Sequence, residues 1–595
     1  MKQSHPILII LFLSLLIGIL TLTDYGESWD DLSLQKYADK SISAYLTWPQ
    51  QGVVKITQDD LGNYGPSYVM AVALGSQLLN AILPIDLPDI RHLLYFITYL
   101  AGIWAFYTLG TRWLSQTAAI GATLLFMTQP LLWGHAFMNP KDTPFLAFFL
   151  LSLSFGFKMI DSIKPVSFDS LSSSARRNLA ILTALWLVSV FSLFTFTDIF
   201  HALLTDLVRS AKAGETNIIS LIASNLSKVE AEVYIQRYFI FFLWIRSFIF
   251  LLTSILLLFT LYRYSPATLH SLLTILFPAI LLGFTTSVRM FGPFAGLIIV
   301  YFALRTKGRQ AIPSLAAYSV IAIITMYLTW PYLWPDPVGH FVESLKVMSL
   351  YPWPGQVLFN GVEYASTALP YSYLPVLFGI QLTEPVWVLF IAGLVMAVVE
   401  LRERRELIEL VILWLVIPFI SFIFLRSALY DNFRQIIFIL PPIFLMGGVA
   451  FEKIKNIKWQ IVFITICLIP GIIGSVRLHP YEYIYYNSFV GEVSNVQRRF
   501  ELDYWGISYR EAAEYVNKIA PPNAAIWVDG PSRLFAVFAR EDLKVYSPGE
   551  IERAEHYDYV VVTTRYDLDK RNYPNAKIIY KIARGEAVLT VIKQP

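Results

Sequence analysis

Apolar segments long enough to cross a lipid bilayer recur along most of this chain, and this recurrence restricts the folds open to it. They lie at 7–22, 92–111, 117–134, 143–160, 179–199, 238–262, 266–284, 291–304, 311–330, 384–400, 407–425, 434–450 and 459–476. A helix needs about 20 apolar residues to span the hydrocarbon core. Because lipid offers the backbone no hydrogen bonds, such segments cross as helices. The sequence therefore predicts a mainly α, polytopic membrane protein with about 13 transmembrane helices.

Composition and cysteine usage agree with a membrane protein and exclude other classes. Of the 595 residues, 56% are hydrophobic and only 15% are charged, whereas soluble domains carry about 25% charged residues. A formal net charge of +3 gives no reason to expect a nucleic-acid partner. The single cysteine, Cys467, excludes an intramolecular disulfide and a thiolate metal cluster.

Basic residues cluster in the short connections between the predicted helices. The clusters are Lys158 with Lys164, Arg176 and Arg177; Arg305, Lys307 and Arg309; Arg402, Arg404 and Arg405; and Lys453, Lys455 and Lys458. If each segment crosses once, all four clusters lie on one side, which the positive-inside rule assigns to the cytoplasm. We therefore expect a multi-pass protein of the cell (plasma) membrane with a cytoplasmic N-terminus and an extracytoplasmic C-terminal part.

The first outer loop is then expected to run from 24 to 91. Within it, Tyr68–Leu83 is apolar enough to cross the membrane, and a crossing there would reverse the sides of all later loops. We interpret 68–83 as a helix that lies on the outer membrane surface or dips into it. Whether it spans the bilayer stays open at this stage.

The sequence changes character near residue 479, where charged residues return and no further spanning segment follows. Residues 1–478 are therefore predicted to form a transmembrane domain, and 479–595 a small extracytoplasmic α/β domain. Periodicity within this tail predicts one helix and several strands. The helix lies at 509–519, the strands at 524–528 and 559–563, and a hairpin joins 577–582 to 587–592.

An acidic cluster follows the first apolar segment directly. Asp24, Glu27, Asp30 and Asp31 fall within eight residues, and the spacing from Asp31 onwards suits a short amphipathic helix. Carboxylates in the first turn of a helix are stabilised by its dipole. The residues alone therefore leave two interpretations open: Asp30 and Asp31 cap a surface helix, or they perform catalysis.

The second outer loop carries Asn139-Pro140-Lys141-Asp142-Thr143-Pro144 between two apolar segments. One interpretation is a turn stiffened by proline, with Asp142 capping the next helix and Pro144 in its first turn. The other gives Asp142 a role towards an acceptor or a metal ion, and lets Lys141 bind a phosphate.

Other cations near helix ends are further candidates. Arg289 lies at the outer end of a predicted helix, either as an interfacial anchor or as the partner of an anionic lipid phosphate. Arg246 lies about eight residues into the segment 238–262, where an ionisable group is either functional or snorkels to the surface. No Walker, Rossmann, zinc-helix or Ser-His-Asp pattern is present, which disfavours ATP hydrolysis and these other chemistries.

Taken together, these features resemble the GT-C superfamily of membrane glycosyltransferases, within it the branch of the protein O-mannosyltransferases and the lipid A aminoarabinose transferase. Members carry an Asp-Glu pair in the first outer loop, which Asp30 and Asp31 match, with Asp31 in place of the Glu. Asp142 matches an acidic residue before a helix in the second outer loop. Bacterial relatives also share the motifs Asn139–Phe145, His479-Pro480-Tyr481 and Asp503–Glu511.

The resemblance implies that 1–478 is a glycosyltransferase domain transferring a hexosyl or pentosyl group, with inversion, from a polyprenyl-phosphate donor on the extracytoplasmic face. The acceptor would be a hydroxyl group of a protein, lipid or glycan. The implied catalytic residues are Asp30, Asp31 and Asp142. The implied ligands of the donor phosphate are Lys141, Arg289 and Arg91, with Arg434 able to take their place. No cofactor is certain, a divalent metal ion can take part, and its ligands are unknown.

The chemistry fits these residue types, because the transfer needs a carboxylate base for the acceptor hydroxyl and cations for the departing phosphate. Three alternatives remain. A transporter or flippase of lipid-linked glycans would carry charged groups near the bilayer midplane and repeated halves. A scaffold or receptor would use the tail as its binding head. A glycan polymerase or ligase would use a diphosphate-linked donor.

Overall fold

The structure, a computed structural model, describes residues 5–51, 54–57, 59, 61–163, 172–222, 228–264, 269–349, 351, 353–548 and 556–595. Lys164 and parts of the predicted outer loop 24–91, of the predicted segment 266–284 and of the predicted domain 479–595 therefore lie outside the described residues.

Helices make up most of the described chain. The first seven are α1 His5–Thr21, α2 Asp31–Gln51, α3 Ser67–Asn80, α4 Leu87–Gly110, α5 Gln116–Met127, α6 Pro130–Met138 and α7 Asp142–Ser162. The next eight are α8 Ser173–Thr195, α9 Thr197–Lys212, α10 Ile218–Ile222, α11 Ala231–Tyr264, α12 Leu269–Thr286, α13 Pro293–Lys307, α14 Ile312–Thr329 and α15 Pro337–Ser349. The last nine are α16 Tyr373–Gln381, α17 Glu384–Val399, α18 Leu401–Val411, α19 Ile417–Phe424, α20 Pro441–Glu452, α21 Ile457–Leu478, α22 Tyr509–Ile519, α23 Ser532–Ala536 and α24 Leu568–Arg571.

The helices confirm a mainly α, multi-pass membrane protein. Within the described residues, eight helical stretches are long and apolar enough to cross a membrane, or nine if α16 and α17, bent by 108° at their junction, form one span. The apolar helices Gln116–Met127 and Thr274–Thr286 are shorter. The count of 13 spans and the sides on which the termini lie stay predictions.

The chain divides into two compact units. The first comprises Met1–Leu32, Leu74–Ser154 and Ser349–Pro595, and the second Ser33–Ala73 and Phe155–Met348. All residues of the tail belong to the first unit.

In the second unit, an aromatic core buries one of the singled-out cations. Arg246 on α11 is fully buried. It donates hydrogen bonds to the carbonyl oxygen of Pro335 (2.9 Å) and to Thr197 Oγ1 (3.0 Å), and its guanidinium lies 4.6 Å from the ring of Phe194. It also donates to the carbonyl oxygen of Trp334. Arg246 thus holds the backbone of a loop rather than snorkelling to the surface.

In the first unit, α17 and α20 pack with almost no space between their backbones. Gly393 on α17 lies so close to α20 that a Cβ there would collide with the carbonyl oxygen of Met446. Small residues allow membrane helices to approach in this way. The close approach fixes the position of α20 and of the loop that precedes it.

The tail forms the small sheet that its periodicity predicts. The strands of the described chain are β1 Gln356–Phe359, β2 Val362–Ala365, β3 Ala525–Asp529, β4 Lys544–Tyr546, β5 Tyr559–Thr563, β6 Lys577–Arg584 and β7 Ala587–Gln594. Strands β3 to β7 lie in the tail. Strands β1 and β2 pair as a hairpin, and the described strands of the tail form one sheet in the order β4-β3-β5-β7-β6. Strand β3 is parallel to β4 and β5, and β7 is antiparallel to β5 and β6. The predicted helix 509–519 and strand 559–563 are confirmed to the residue.

Substituting Gly393→Ala is expected to destabilise the protein, because the added methyl group forces α17 and α20 apart. Overpacking of this kind costs about 1–3 kcal/mol of unfolding free energy. Gly379→Ala on α16 is the matched control, since nothing lies within 4 Å of a Cβ at that position. Thermal unfolding of the purified proteins in detergent should show a lower midpoint for Gly393→Ala alone. Equal midpoints would contradict the close packing.

Candidate active site

Asp30 and Asp31 stand next to each other at the start of α2 but have different surroundings. Asp31 is buried: its Oδ2 accepts hydrogen bonds from the backbone N–H and the hydroxyl of Ser28 (both 2.7 Å), and its Oδ1 accepts one from Tyr95 (2.9 Å). Asp30 has a side chain that is 25% exposed, and its Oδ2 lies 2.7 Å from the Nζ atom of Lys141. Asp31 therefore shapes the start of the helix, whereas Asp30 is accessible.

Lys141 and Asp142 occupy the turn between α6 and α7, which Asn139 organises. The side-chain oxygen of Asn139 accepts hydrogen bonds from the backbone N–H groups of Lys141 (3.1 Å) and Asp142 (2.8 Å). Because Asn139 satisfies these N–H groups at the start of α7, the carboxylate of Asp142 is available for another contact. The predicted capping role at this turn is filled by Asn139.

Arg434 joins the two acidic positions. Its Nη1 atom donates to Asp142 Oδ2 (3.0 Å) and lies 3.9 Å from Asp30 Oδ2. Its Nε and Nη2 atoms both donate to Asp431 Oδ2, at 3.2 and 3.1 Å. A planar guanidinium can serve several carboxylates at once in this way. The predicted residues Asp30, Lys141 and Asp142 are thus brought together around an arginine.

Aromatic rings enclose the guanidinium of Arg434. It lies 4.4 Å from the ring of Trp505 and 5.0 Å from the ring of Tyr430, distances at which the ring faces attract a cation. The backbone N–H of Trp29 donates to the carbonyl oxygen of Trp505 (3.1 Å), which ties the segment before Asp30 to the tail. The rings of Trp505 and Tyr430 therefore help to fix the position of the Arg434 guanidinium.

The surrounding charges set the protonation of Asp30. Burial by itself would raise the pKa of this carboxyl, but the charges of Lys141 and Arg434 outweigh burial and hold the pKa below its ordinary range. The nearby Asp142 opposes this effect only in part. Asp30 is therefore ionised at neutral pH, and its side chain is partly exposed.

Arg91 and Arg289 are the other two predicted ligands of the donor phosphate. Arg91 on α4 donates to Glu27, which is buried and also accepts from Arg533 of the tail (3.0 Å). Arg289 follows α12 in the second unit and is buried. The role of both residues towards a donor phosphate stays a prediction.

A divalent metal ion finds few ligands among these carboxylates. Within the described part of the chain, no group of three or more His, Cys, Asp or Glu side chains is placed to hold one. Lys141 and Arg434 occupy the positions beside Asp30 and Asp142. These residues do not fit the metal role predicted for Asp142, and no step below is derived through a metal.

Sequence reasoning missed Asp431, Glu501 and Arg565, which extend the network. Arg565 Nη2 lies 2.6 Å from Asp431 Oδ1, and its Nε lies 3.3 Å from Glu501 Oε2. One available signal was the pair Asp431 and Arg434 just before an apolar segment, where ionisable residues are costly. Nothing local marks the contact between Asp431 and Arg565, which are 134 positions apart.

No family model and no curated protein matches the chain. The structure is similar to the apo oligosaccharyltransferase of Archaeoglobus fulgidus, with 13% identity, a TM-score of 0.39, and 96% of this chain and 71% of that chain covered. It is also similar to apo ArnT from Cupriavidus metallidurans, with 12% identity, a TM-score of 0.27, and 100% of this chain and 98% of that chain covered. ArnT bound to undecaprenyl phosphate matches with the same identity and TM-score, covering 99% of this chain and 98% of that chain. Because the TM-scores are below 0.5, a functional proposal for this chain has to rest on its own residues.

Replacing Arg434 by methionine is expected to destabilise the protein, because it leaves the buried carboxylates of Asp142 and Asp431 without the guanidinium. Removing one partner from a buried ion pair costs about 3–5 kcal/mol. The double variant Arg434→Met/Asp142→Asn should recover part of this loss, since one of the two charges is then absent. Thermal unfolding in detergent measures both effects. Two variants of equal, undiminished stability would contradict the network.

Proposed function

We propose that this chain is an integral membrane glycosyltransferase that moves a sugar from a polyprenyl-phosphate donor to a hydroxyl acceptor on the extracytoplasmic face, with inversion. The acceptor is a protein, a lipid or a glycan. The positive-inside pattern supports the side of the membrane, and the apolar helices around the site suit a donor with a long lipid tail.

The observation that carries the proposal is the state of Asp30. It is an ionised, partly exposed carboxylate at the start of α2, and the Nζ atom of Lys141 lies 2.7 Å away. Lys141 belongs to the turn between the apolar helices α6 and α7. Glycosyl transfer from a phosphate requires these two elements at one place: a base for the acceptor and a positive charge for the leaving group.

The reaction follows as a single displacement. The acceptor hydroxyl oxygen attacks the anomeric carbon of the donor, the bond from that carbon to the phosphate oxygen breaks, and the hydroxyl proton passes to Asp30. The bonding electrons leave with the polyprenyl phosphate, whose added charge Lys141 stabilises. Attack opposite to the leaving group inverts the anomeric configuration.

The remaining carboxylates take supporting roles in this scheme. Asp31 fixes the start of α2 through Ser28 and Tyr95, and thereby the position of Asp30. Asp142 holds Arg434, which stands between it and Asp30. Of the three predicted catalytic residues, Asp30 is therefore proposed as the base. Asp31 and Asp142 are proposed to position the groups around it.

Asp30→Asn is expected to lower turnover about a hundredfold or more, the scale of losing a general base. Asparagine keeps the shape of the side chain and caps helices about as well as aspartate, so the variant should still fold, although it loses the stability that the ionised carboxylate gains from Lys141 and Arg434. The assay measures sugar transfer from a radiolabelled polyprenyl-phosphate sugar to an acceptor in membranes. Asp31→Asn is the matched neighbour, and we expect a smaller loss there.

Near-normal turnover of folded Asp30→Asn would contradict the assignment and move the base to Asp142. The same assay separates the enzyme from a transporter or flippase, because a transporter releases no glycosylated product and its lipid carrier keeps the sugar.

Lys141→Met is expected to weaken use of the donor, because the departing phosphate loses a charged partner. A hydrogen bond to a charged group is worth about 1.5–3 kcal/mol, which corresponds to a rise of about 10- to 150-fold in KM for the donor. Lys141→Arg keeps the charge and serves as the control. Arg289→Met and Arg91→Met in the same assay test the other two predicted ligands. An unchanged KM in Lys141→Met would remove this residue from the phosphate site.

A further inference from the structure

Arg565 lies in the tail, directly after β5, and reaches back into the site. Its Nη2 atom is 2.6 Å from Asp431 Oδ1, while the other oxygen of Asp431 accepts from Arg434 at 3.1 and 3.2 Å. Asp431 therefore bridges two arginines, one through each oxygen. Through this bridge the tail is connected to the guanidinium that faces Asp30.

The backbone on both sides of this bridge is held in an uncommon conformation. Asp431 and Asn432 have positive φ angles of 53° and 61°, and Tyr566 and Asp567, which follow Arg565, have φ angles of 56° and 54°. Non-glycine residues adopt this left-handed region at a cost, and such residues concentrate where a side chain must be aimed at a functional site. The surrounding structure therefore holds the backbone in this unfavourable conformation at both ends of the bridge.

Further contacts fix Arg565 in place. Its Nη1 atom donates to the carbonyl oxygen of Tyr504 (3.2 Å), the residue before Trp505. Arg498 pairs with Asp567, and its Nη2 atom lies 2.8 Å from Asp569, so the segment after Arg565 is anchored. The guanidinium is thus aimed by its own chain as well as by its partners.

The bridge is largely removed from water, which makes the coupling between its charges strong. The exposed fractions of the side chains are 12% for Arg565, 8% for Asp431 and 3% for Arg434. Charges in such surroundings interact far more strongly than in water. Glu501, the third neighbour of Arg565, is buried, and burial raises its pKa to about 7. Glu501 can therefore become neutral at little cost when Arg565 is absent.

We propose that Arg565 is a positioning residue of the active site, which acts through Asp431 to hold the Arg434 guanidinium between Asp30 and Asp142. Its consequence for catalysis rests on the glycosyltransferase function proposed above. With Arg565 present, the charge of Asp431 is shared between two arginines. Without it, the full charge of Asp431 acts on Arg434 and draws it away from Asp30, which weakens the positive charge beside the base.

The test compares the pH dependence of turnover in four variants. In Arg565→Gln, the acid limb of the profile should move to higher pH by about half a unit or more, because Arg434, drawn towards Asp431, stabilises the ionised form of Asp30 less. Turnover on the plateau should fall about tenfold through misplacement of Arg434. In Asp431→Asn the limb should move to lower pH, because a negative charge is removed while Arg565 stays. Lys141, Arg434 and Asp142, the charged groups that face Asp30, remain in both variants.

Two further variants separate positioning from a merely structural role. Arg565→Lys keeps the charge but not the planar fork, so the acid limb should return to the wild-type pH while plateau turnover recovers only in part. Arg571→Gln removes an exposed arginine from the same segment, outside the site, and should reproduce the wild-type profile. A structural defect alone would lower turnover without moving the limb in opposite directions.

A second readout needs no sugar donor. The folded protein lowers the pKa of Asp30, so the stability that its ionised form contributes is present above the unfolded pKa and is lost as pH falls through the folded pKa. The difference in unfolding midpoint between Asp30 and Asp30→Asn proteins, measured against pH, reports this loss. In the Arg565→Gln background the loss should occur at higher pH than in the wild type.

The outcomes are distinguishable. Absence of transfer from the polyprenyl-phosphate sugar by the wild type would overturn the proposed function and leave the stability readout standing. An acid limb and a stability profile in Arg565→Gln identical to those in Arg571→Gln would overturn the role of Arg565. If Arg565→Gln does not fold, Asp431→Asn decides: an acid limb that stays at the wild-type pH or moves upward overturns the proposal.

Discussion

A single buried guanidinium, that of Arg434, holds the candidate site together. Its side chain is only 3% exposed, and a charge so far from water is tolerated only with well-placed partners. Asp142 and Asp431 supply them directly, and Asp30 lies at the edge. These carboxylates come from the loops before α7, α20 and α2. The site therefore exists only when all three loops have been brought together by the helices behind them.

The different surroundings of two adjacent carboxylates show how the fold separates structure from chemistry. Consecutive residues at a helix start point about 100° apart around the axis. Asp31 consequently turns inwards to Ser28 and Tyr95, whereas Asp30 turns towards Lys141 and remains a quarter exposed. A residue whose two oxygens are already hydrogen-bonded is a poor proton acceptor. The neighbouring Asp30 is ionised and keeps a partly exposed side chain, which supports the proposal that it, and not Asp31, is the base.

The sequence predicted those features of this protein that depend on residues close to one another in the chain. Helix α22 and strand β5 were predicted to the residue because hydrophobic periodicity is a property of the segment itself. Asp30, Lys141 and Asp142 were found because they follow apolar segments directly. The bridge from Asp431 to Arg565 joins residues 134 positions apart, and no periodicity encodes such a pair. One of the two interpretations of Asp142 made it the cap of α7, because aspartate caps helices, but Asn139, three positions earlier, fills that role.

The tail also holds the loop on which Asp30 stands. His479 pairs with Asp24 (2.9 Å), Arg533 with Glu27 (3.0 Å), and Arg510 donates to the carbonyl oxygen of Tyr25 (2.9 Å). These contacts tie the loop to the tail, in addition to the contacts that Glu27 and Asp31 make with Arg91 and Tyr95 on α4. A base has to be held at a fixed distance from its acceptor to be effective. The tail therefore contributes to the positions of both Asp30 and Arg434, the first through this loop and the second through Trp505 and Arg565.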